Sequence, residues 1–205
     1  MKDKTMIVLT GVAILIVALA VAIPNLRPVQ DNGDHVAIMF LRQYLSAQGT
    51  YHRTDYDKDG LKEYAADMVC LHDWDGPGGE EPIKLIDIKM ATAHYSRPES
   101  GRPSGYDGIF QPDCGSYFTE LLGNAEGKNY QIPDGDAGVP GWKDGFGLVA
   151  FPAIYFRTST YCFIINEGGT VYQKDIRGLD LEHLEKLPRY WPSDLKKEGW
   201  EMVGE

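Results

Sequence analysis

The chain has 205 residues, with 30 Asp and Glu against 20 Lys and Arg and a formal net charge of −10. That balance argues against nucleic acid or anionic lipid as a partner, because both are held by basic patches. The length suffices for one domain with a real core, and 23 Gly and 12 Pro imply many turns.

The first predicted element is the uncharged run 6–23, MIVLTGVAILIVALAVAI. As a helix it spans roughly 27 Å, close to the hydrocarbon thickness of a bilayer. A helix apolar on every side has no face for water, which disfavours a core helix. Two other readings remain open. Lys2 and Lys4, with Ala18-Leu19-Ala20 or Ala20-Val21-Ala22, fit a signal peptide and its small-residue cleavage site. A retained single-span anchor fits the length of the run, which exceeds the usual h-region of about 7–15 residues. With Lys2 and Lys4 ahead of the span, positive-inside logic puts the N-terminus in the cytoplasm and the domain outside. The expected organisation is a transmembrane segment over 1–30 and an extracytoplasmic domain over 31–205.

Pro24, Pro28 and Gly33 are expected to break the helix behind the span. A second helix is expected over about 34–48. Ala37, Leu41, Tyr44, Leu45 and Gln48 form its stripe, widened by Ile38 and Phe40, and Gly49 is its stop. The segment 61–71 reads as a short helix or strand, 72–82 as a loop, 83–93 as a packed segment of either kind, and 97–108 as a second long loop. In the C-terminal half an element is centred on SYFTELL. Strands follow over 146–151 and 161–166, then a tight turn at Glu167-Gly168-Gly169 and a strand over 170–174. The segment 180–187 reads as a short helix ended by Pro188, and Trp191 and Trp200 fall in the tail.

The apolar run ends in Ala22-Ile23-Pro24-Asn25-Leu26. AIPNL resembles the close of the apolar helix in type IV pilins and type II secretion pseudopilins. FLRQYLSAQGTY, beginning at Phe40, resembles the second half of the long pilin helix. The stretches GFGLVAFPAIY, CFIINEGGTVYQKDI and PSDLKKEGWEMV, with LRQYLSAQGTYHRTDYDKDGLKEYA, are similar to an uncharacterised family of secreted bacterial proteins. The pilin resemblance implies an α+β fold, with an N-terminal hydrophobic helix packed on or leading to a small antiparallel sheet. It also implies a single-pass inner-membrane protein with a structural or assembly role, a filament or pseudopilin-like subunit. Such a subunit associates with itself or other pilin-like subunits through the N-terminal helix. The alternative is a secreted periplasmic domain that has lost its signal peptide and binds a small ligand or calcium. Neither resemblance implies an enzymatic activity.

The strongest local motif is DYDKDGLKE, residues 55–63. Asp55, Asp57 and Asp59 place carboxylates at alternate positions, Gly60 allows a sharp turn, and the Leu61 carbonyl follows. That order suits a calcium loop. Its twelfth position is Ala66, so Glu63 or Asp67 has to supply the distal carboxylate. The competing reading is a solvated acidic turn beside a helix. The acidic stretches at Asp73-Trp74-Asp75 and Asp134-Gly135-Asp136 lack ligand spacing and read as solvated loops.

No catalytic constellation emerges. His35, His52, His72, His94 and His183 form no HExxH pair, and there is no GxSxG, P-loop or GxGxxG. His72 stands near Cys70 without an orienting partner. Cys162, inside TYCFII, reads as an inert core thiol. Cys70 and Cys114 lie in loop contexts, where an extracytoplasmic location allows a bridge between them. The aromatics beside Gly and Pro, such as Trp74, Tyr106 and Trp142, read as caps on a small core rather than sugar platforms.

Overall fold

The computed structural model describes residues 30–56, 60–73, 83–97, 104–130, 141–142, 145–179 and 181–204. The run 6–23, with the expected anchor, cleavage sites and AIPNL motif, lies outside them, as do Asp57 and Asp59. Among the described residues no helix is long and apolar enough to cross a membrane.

Helix α1, Gln30–Thr54, is longer than the sequence suggests at both ends. Gly33 does not break it. A Cβ at Gly33 would lie 2.4 Å from the Thr158 carbonyl oxygen, so this glycine serves a close approach between helix and loop. Gly49 does not stop it either. A mid-helix glycine costs about 1 kcal/mol, but the next turn buries Tyr51, which returns about 2 kcal/mol. The Thr50 and Thr54 hydroxyls also donate to the carbonyls of Ser46 and Thr50, at 3.0 and 2.8 Å. The helix ends where Asp55 takes a φ of 45°, a left-handed conformation that short polar residues tolerate. His52 and Arg53 in the last turn complement the helix dipole. The buried face holds Ala37, Leu41, Tyr44, Ala47, Gln48 and Tyr51, with Ile38, Phe40 and Leu45 packed at its margins.

Seven strands follow in chain order: β1 (Tyr64–Ala65), β2 (Ser116–Glu120), β3 (Gly141–Trp142), β4 (Gly147–Pro152), β5 (Tyr161–Asn166), β6 (Tyr172–Asp175) and β7 (Glu201–Met202). β1 and β3 form a small antiparallel pair, and the others form a five-stranded antiparallel sheet in the order β2-β4-β5-β6-β7. One register line crosses the middle of it: Thr119 faces Val149, Val149 faces Ile164, Ile164 faces Tyr172, and Tyr172 faces Met202. All residues of β4 and the middle four of β5 are buried. Both faces of this central pair are therefore covered, which is why GLVAFP and YCFIIN read as continuous apolar runs rather than alternating ones. α1 packs along β4 and β5. The outer edge of β2 is closed by backbone bonds with Ala93 and Tyr95: Tyr95 N–H donates to Phe118 O at 2.7 Å, and Phe118 N–H to Ala93 O at 3.0 Å. That removes an exposed edge. The architecture is α+β with a small antiparallel sheet, as expected. How the hydrophobic helix itself packs falls outside the described residues.

Three sequence expectations change. In 61–71 only the two-residue β1 forms, and Asp67, Met68 and Leu71 are buried in turns behind it. In 83–93 the regular part is α2, Ile88–Thr92, capped by Asp87, whose Oδ1 accepts the Met90 N–H at 3.0 Å. In 180–187 a single 3-10 turn, Leu184–Lys186, replaces the expected helix. Among the described residues there only Leu187 is fully buried, at 3% exposure, with Leu184 packed at the core margin, so a longer helix has little face to bury. The sequence also hides β7, where Trp200 is buried and Lys174 Nζ stands 5.7 Å from its ring centroid.

Candidate functional site

The acidic segment starts at the C-terminal end of α1. Asp55 follows Thr54 directly, and Tyr56 lies against Tyr51 with ring centroids 5.2 Å apart. Asp55 Oδ1 is shielded from solvent and accepts no hydrogen bond among the described residues. Gly60 takes a φ of 85°, the turn geometry that the motif demands. Leu61 is exposed and Glu63 half-buried. The described donors at this segment are the Asp55 and Glu63 carboxylates and the Leu61 carbonyl, hard oxygens of the kind calcium takes. Among the described residues no group of three or more His, Cys, Asp or Glu side chains converges on one point.

A second polar centre, not picked out from the sequence, lies under α1. Gln48 is fully buried, and its amide behaves as a strand neighbour for β1. Its Nε2 donates to Ala65 O at 2.8 Å, and its Oε1 accepts the Ala65 N–H at 2.8 Å. Nε2 also donates to the Tyr44 hydroxyl at 2.8 Å. Burial, then the Glu120 carboxylate, hold the Tyr44 hydroxyl well above the ordinary phenol range, so it stays protonated.

Glu120 ends β2 and is itself buried. Its Oε2 lies 2.7 Å from His94 Nε2, and its Oε1 accepts the Met68 N–H at 3.3 Å. Arg97 reaches back over the same strand end. Its Nε donates to Glu120 O at 3.1 Å and its Nη2 to Pro188 O at 2.7 Å. One clue was legible: Glu120 is the lone charged residue of the strand SYFTE. His94, twenty-six positions away, gives no local signal.

A third group gathers beside it. The Tyr106 hydroxyl donates to the Asp73 carboxylate. The His72 ring stands edge-on to Tyr106 at 5.1 Å, with Nδ1 3.0 Å from Ile86 O. His72 therefore pairs with backbone and an aromatic ring. Cys70, Cys114 and Cys162 are all thiols, so the bridge considered between Cys70 and Cys114 is not formed. Cys114 is exposed, at a turn beside the β4–β5 loop. Cys162 is buried, and burial pushes its thiol far above the usual range, as an inert core residue requires.

The aromatic residues divide between packing and surface. Trp200 is buried, Trp191 stands edge-on to Tyr172 at 5.9 Å, and Phe110 stacks on Tyr117 at 4.6 Å. These are core caps. Nothing is described of the Trp74 and Trp142 side chains.

These features define an α+β domain whose polar interior ties a helix, a two-stranded ribbon and a five-stranded sheet together. Residues 113–203 match a family described as Protein of unknown function (DUF2950). The matched stretch runs from the turn before β2 to the residue after β7, so it takes in the whole five-stranded sheet and leaves out α1, β1 and α2. The expected likeness to an uncharacterised family holds over that stretch. No curated protein and no solved structure matches the chain. None of these comparisons supports a pilin or pseudopilin identity.

Proposed function

We propose that the protein is a membrane-anchored extracytoplasmic domain with a structural or assembly role, held by the run 6–23. The observation that carries this reading is continuity. The apolar run ends at Ile23, and α1 begins at Gln30 and lays its buried face along β4 and β5. The apolar run thereby precedes, by the six residues 24–29, the element that organises the core, the order of a pilin stem. The acidic surface, net −10, keeps such a domain soluble at the membrane. Self-association, or association with other pilin-like subunits, runs through the apolar helix in this reading.

The test is the intact mass and fractionation of the native chain. Retention of residues 6–23 and resistance to carbonate extraction are expected. A soluble mature form shorter by roughly 20–22 residues would establish the secreted domain instead. A chain lacking residues 1–24 should be a soluble monomer, and a stable oligomer of it would remove the helix as the association element.

One observation favours a second, compatible activity. The solvent-shielded Asp55 Oδ1, without a hydrogen-bond donor among the described residues, supports calcium binding by Asp55, Asp57, Asp59, Leu61 and Glu63. Millimolar calcium should then raise the melting temperature relative to EGTA, by about 1.4 kcal/mol of stability at ten times the dissociation constant. An unchanged melting temperature disposes of the site.

A further inference from the structure

The loop between β4 and β5 puts its largest side chains into solvent. Ile154 is 52% exposed and Phe156 60%, although a short connection needs no bulky apolar residue at its tip. Phe156 also holds a φ of 66°, a left-handed conformation that is strained for an aromatic residue and costs roughly 1–3 kcal/mol. The fold maintains that strain. The Phe156 N–H donates to Ser159 O at 2.8 Å, and the Arg157 and Thr158 N–H groups donate to Ile154 O at 3.1 and 3.0 Å. The Thr158 hydroxyl donates to Ile154 O at 3.1 Å and accepts the Ile154 N–H at 3.3 Å. The tip thus pairs the N–H groups of Ile154, Phe156, Arg157 and Thr158 internally, which lowers the cost of placing irregular backbone where water is scarce.

Position then decides what the tip meets. Thr158 O packs against Gly33, one turn into α1. Residues 24–29 separate that helix from the apolar run. They span about 9 Å if helical and about 20 Å if fully extended. In the anchored reading the Thr158 end of the loop is therefore tethered within about 25 Å of the bilayer. Its chemistry suits a headgroup region. Tyr155 offers a ring and a hydroxyl, which donates to Asp175 Oδ1 at 2.7 Å. Arg157 is exposed, and Arg177, 89% exposed, extends beside Asp175. Aromatic rings and arginines that reach for phosphate are the residues of membrane interfaces. The net charge of −10 disfavours an anionic surface and leaves a zwitterionic one.

We propose that Ile154, Phe156 and Arg157 seat the β4–β5 loop in the headgroup interface of a zwitterionic bilayer, so that the domain is docked on the membrane rather than merely tethered to it. This rests on the anchored reading above, and the experiment separates the two. The full-length chain is reconstituted into phosphatidylcholine vesicles whose acyl chains carry bromine near the headgroups. Carbonate extraction is applied first. Added tryptophan emission is then read from Phe156→Trp, from Ile154→Trp as an independent site, and from Met202→Trp, level with the middle of the sheet.

Expected are retention of the chain, about a twofold loss of the added emission at 154 and 156, and none at 202. Release by carbonate overturns the anchored reading and the docking with it. Retention with no quenching at 154 and 156 overturns the docking alone. A concentration-dependent blue shift at 156 without bromine quenching also overturns it, and assigns the surface to a second copy of the chain.

Discussion

His94 Nε2 lies 2.7 Å from Glu120 Oε2, with 1% of the histidine side chain and 9% of the glutamate side chain exposed. The pair joins a residue two positions past the end of α2 to the last residue of β2, and the other carboxylate oxygen takes the Met68 N–H. Removing the carboxylate strands two donors away from water. Glu120→Ala should therefore cost about 3–5 kcal/mol in urea unfolding. Glu120→Gln keeps an acceptor and should cost less. Equal stability of the alanine variant and the parent would mean that the pair does not hold β2 in place.

Gln48 makes a parallel case on the helix side. Its amide closes three buried hydrogen bonds, two of them to the Ala65 backbone. Gln48→Met keeps most of the volume and leaves the Ala65 N–H and C=O unpaired. A loss of about 2–4 kcal/mol is expected, together with faster amide exchange at Ala65. If that exchange stays at its original rate, β1 does not depend on α1.

Asp113 sets a pH dependence. Burial, first, raises its carboxyl above the ordinary range, and the facing Cys114 thiol only partly offsets this. A raised folded-state pKa means that the native state binds the proton more tightly than the unfolded chain. The stability tied to that proton is present at low pH and is lost as pH rises through the native value. Asp113→Asn should thus be more stable than the parent at pH 7, by about 1 kcal/mol. The gain should fade toward pH ~4. A variant less stable than the parent at pH 7 would contradict this sign.

Two of the thiols should separate by reactivity. Cys114 is exposed, whereas Cys162 is buried and its thiol is pushed far above the usual range despite the Lys174 and Arg97 charges nearby. An alkylating reagent at pH 8 should modify Cys114 in the native protein and reach Cys162 only on unfolding. Reductant should not change the number of sites labelled, because no cystine is present. Native labelling of Cys162 at the rate of Cys114 would show that β5 opens locally.

The sheet was legible where local patterning decides the outcome. YCFIIN forms β5 over the expected residues, and FGLVAF forms β4 displaced by one, because uninterrupted β-branched and aromatic runs between glycine turns leave few alternatives. The α1 stripe was legible for the same reason, although Ala47 and Tyr51 extend it. What stayed hidden depends on partners distant in sequence. Gly33 and Gly49 look like helix breakers until Thr158 and the burial of Tyr51 are known. Residues 201–202 become a strand only because β6 offers an open edge. His94 and Glu120 meet across 26 positions, a separation that no window of the chain contains. Of the acidic segment, the turn at Gly60 was legible, whereas the shielding of Asp55 Oδ1 follows from the tertiary fold.

The order of the chain carries a consequence for biosynthesis. α1 is the first described element to leave the ribosome, yet the strand it covers, β5, begins only at Tyr161. At roughly 5–20 residues per second, about 5–20 s pass between them. Through that interval Leu41, Tyr44 and Tyr51 have at most part of their sheet to rest on. A nascent chain stopped anywhere in that gap carries a partly unsatisfied apolar stripe, so prematurely terminated products should aggregate or be degraded, and folding should be complete only once β5 has been made.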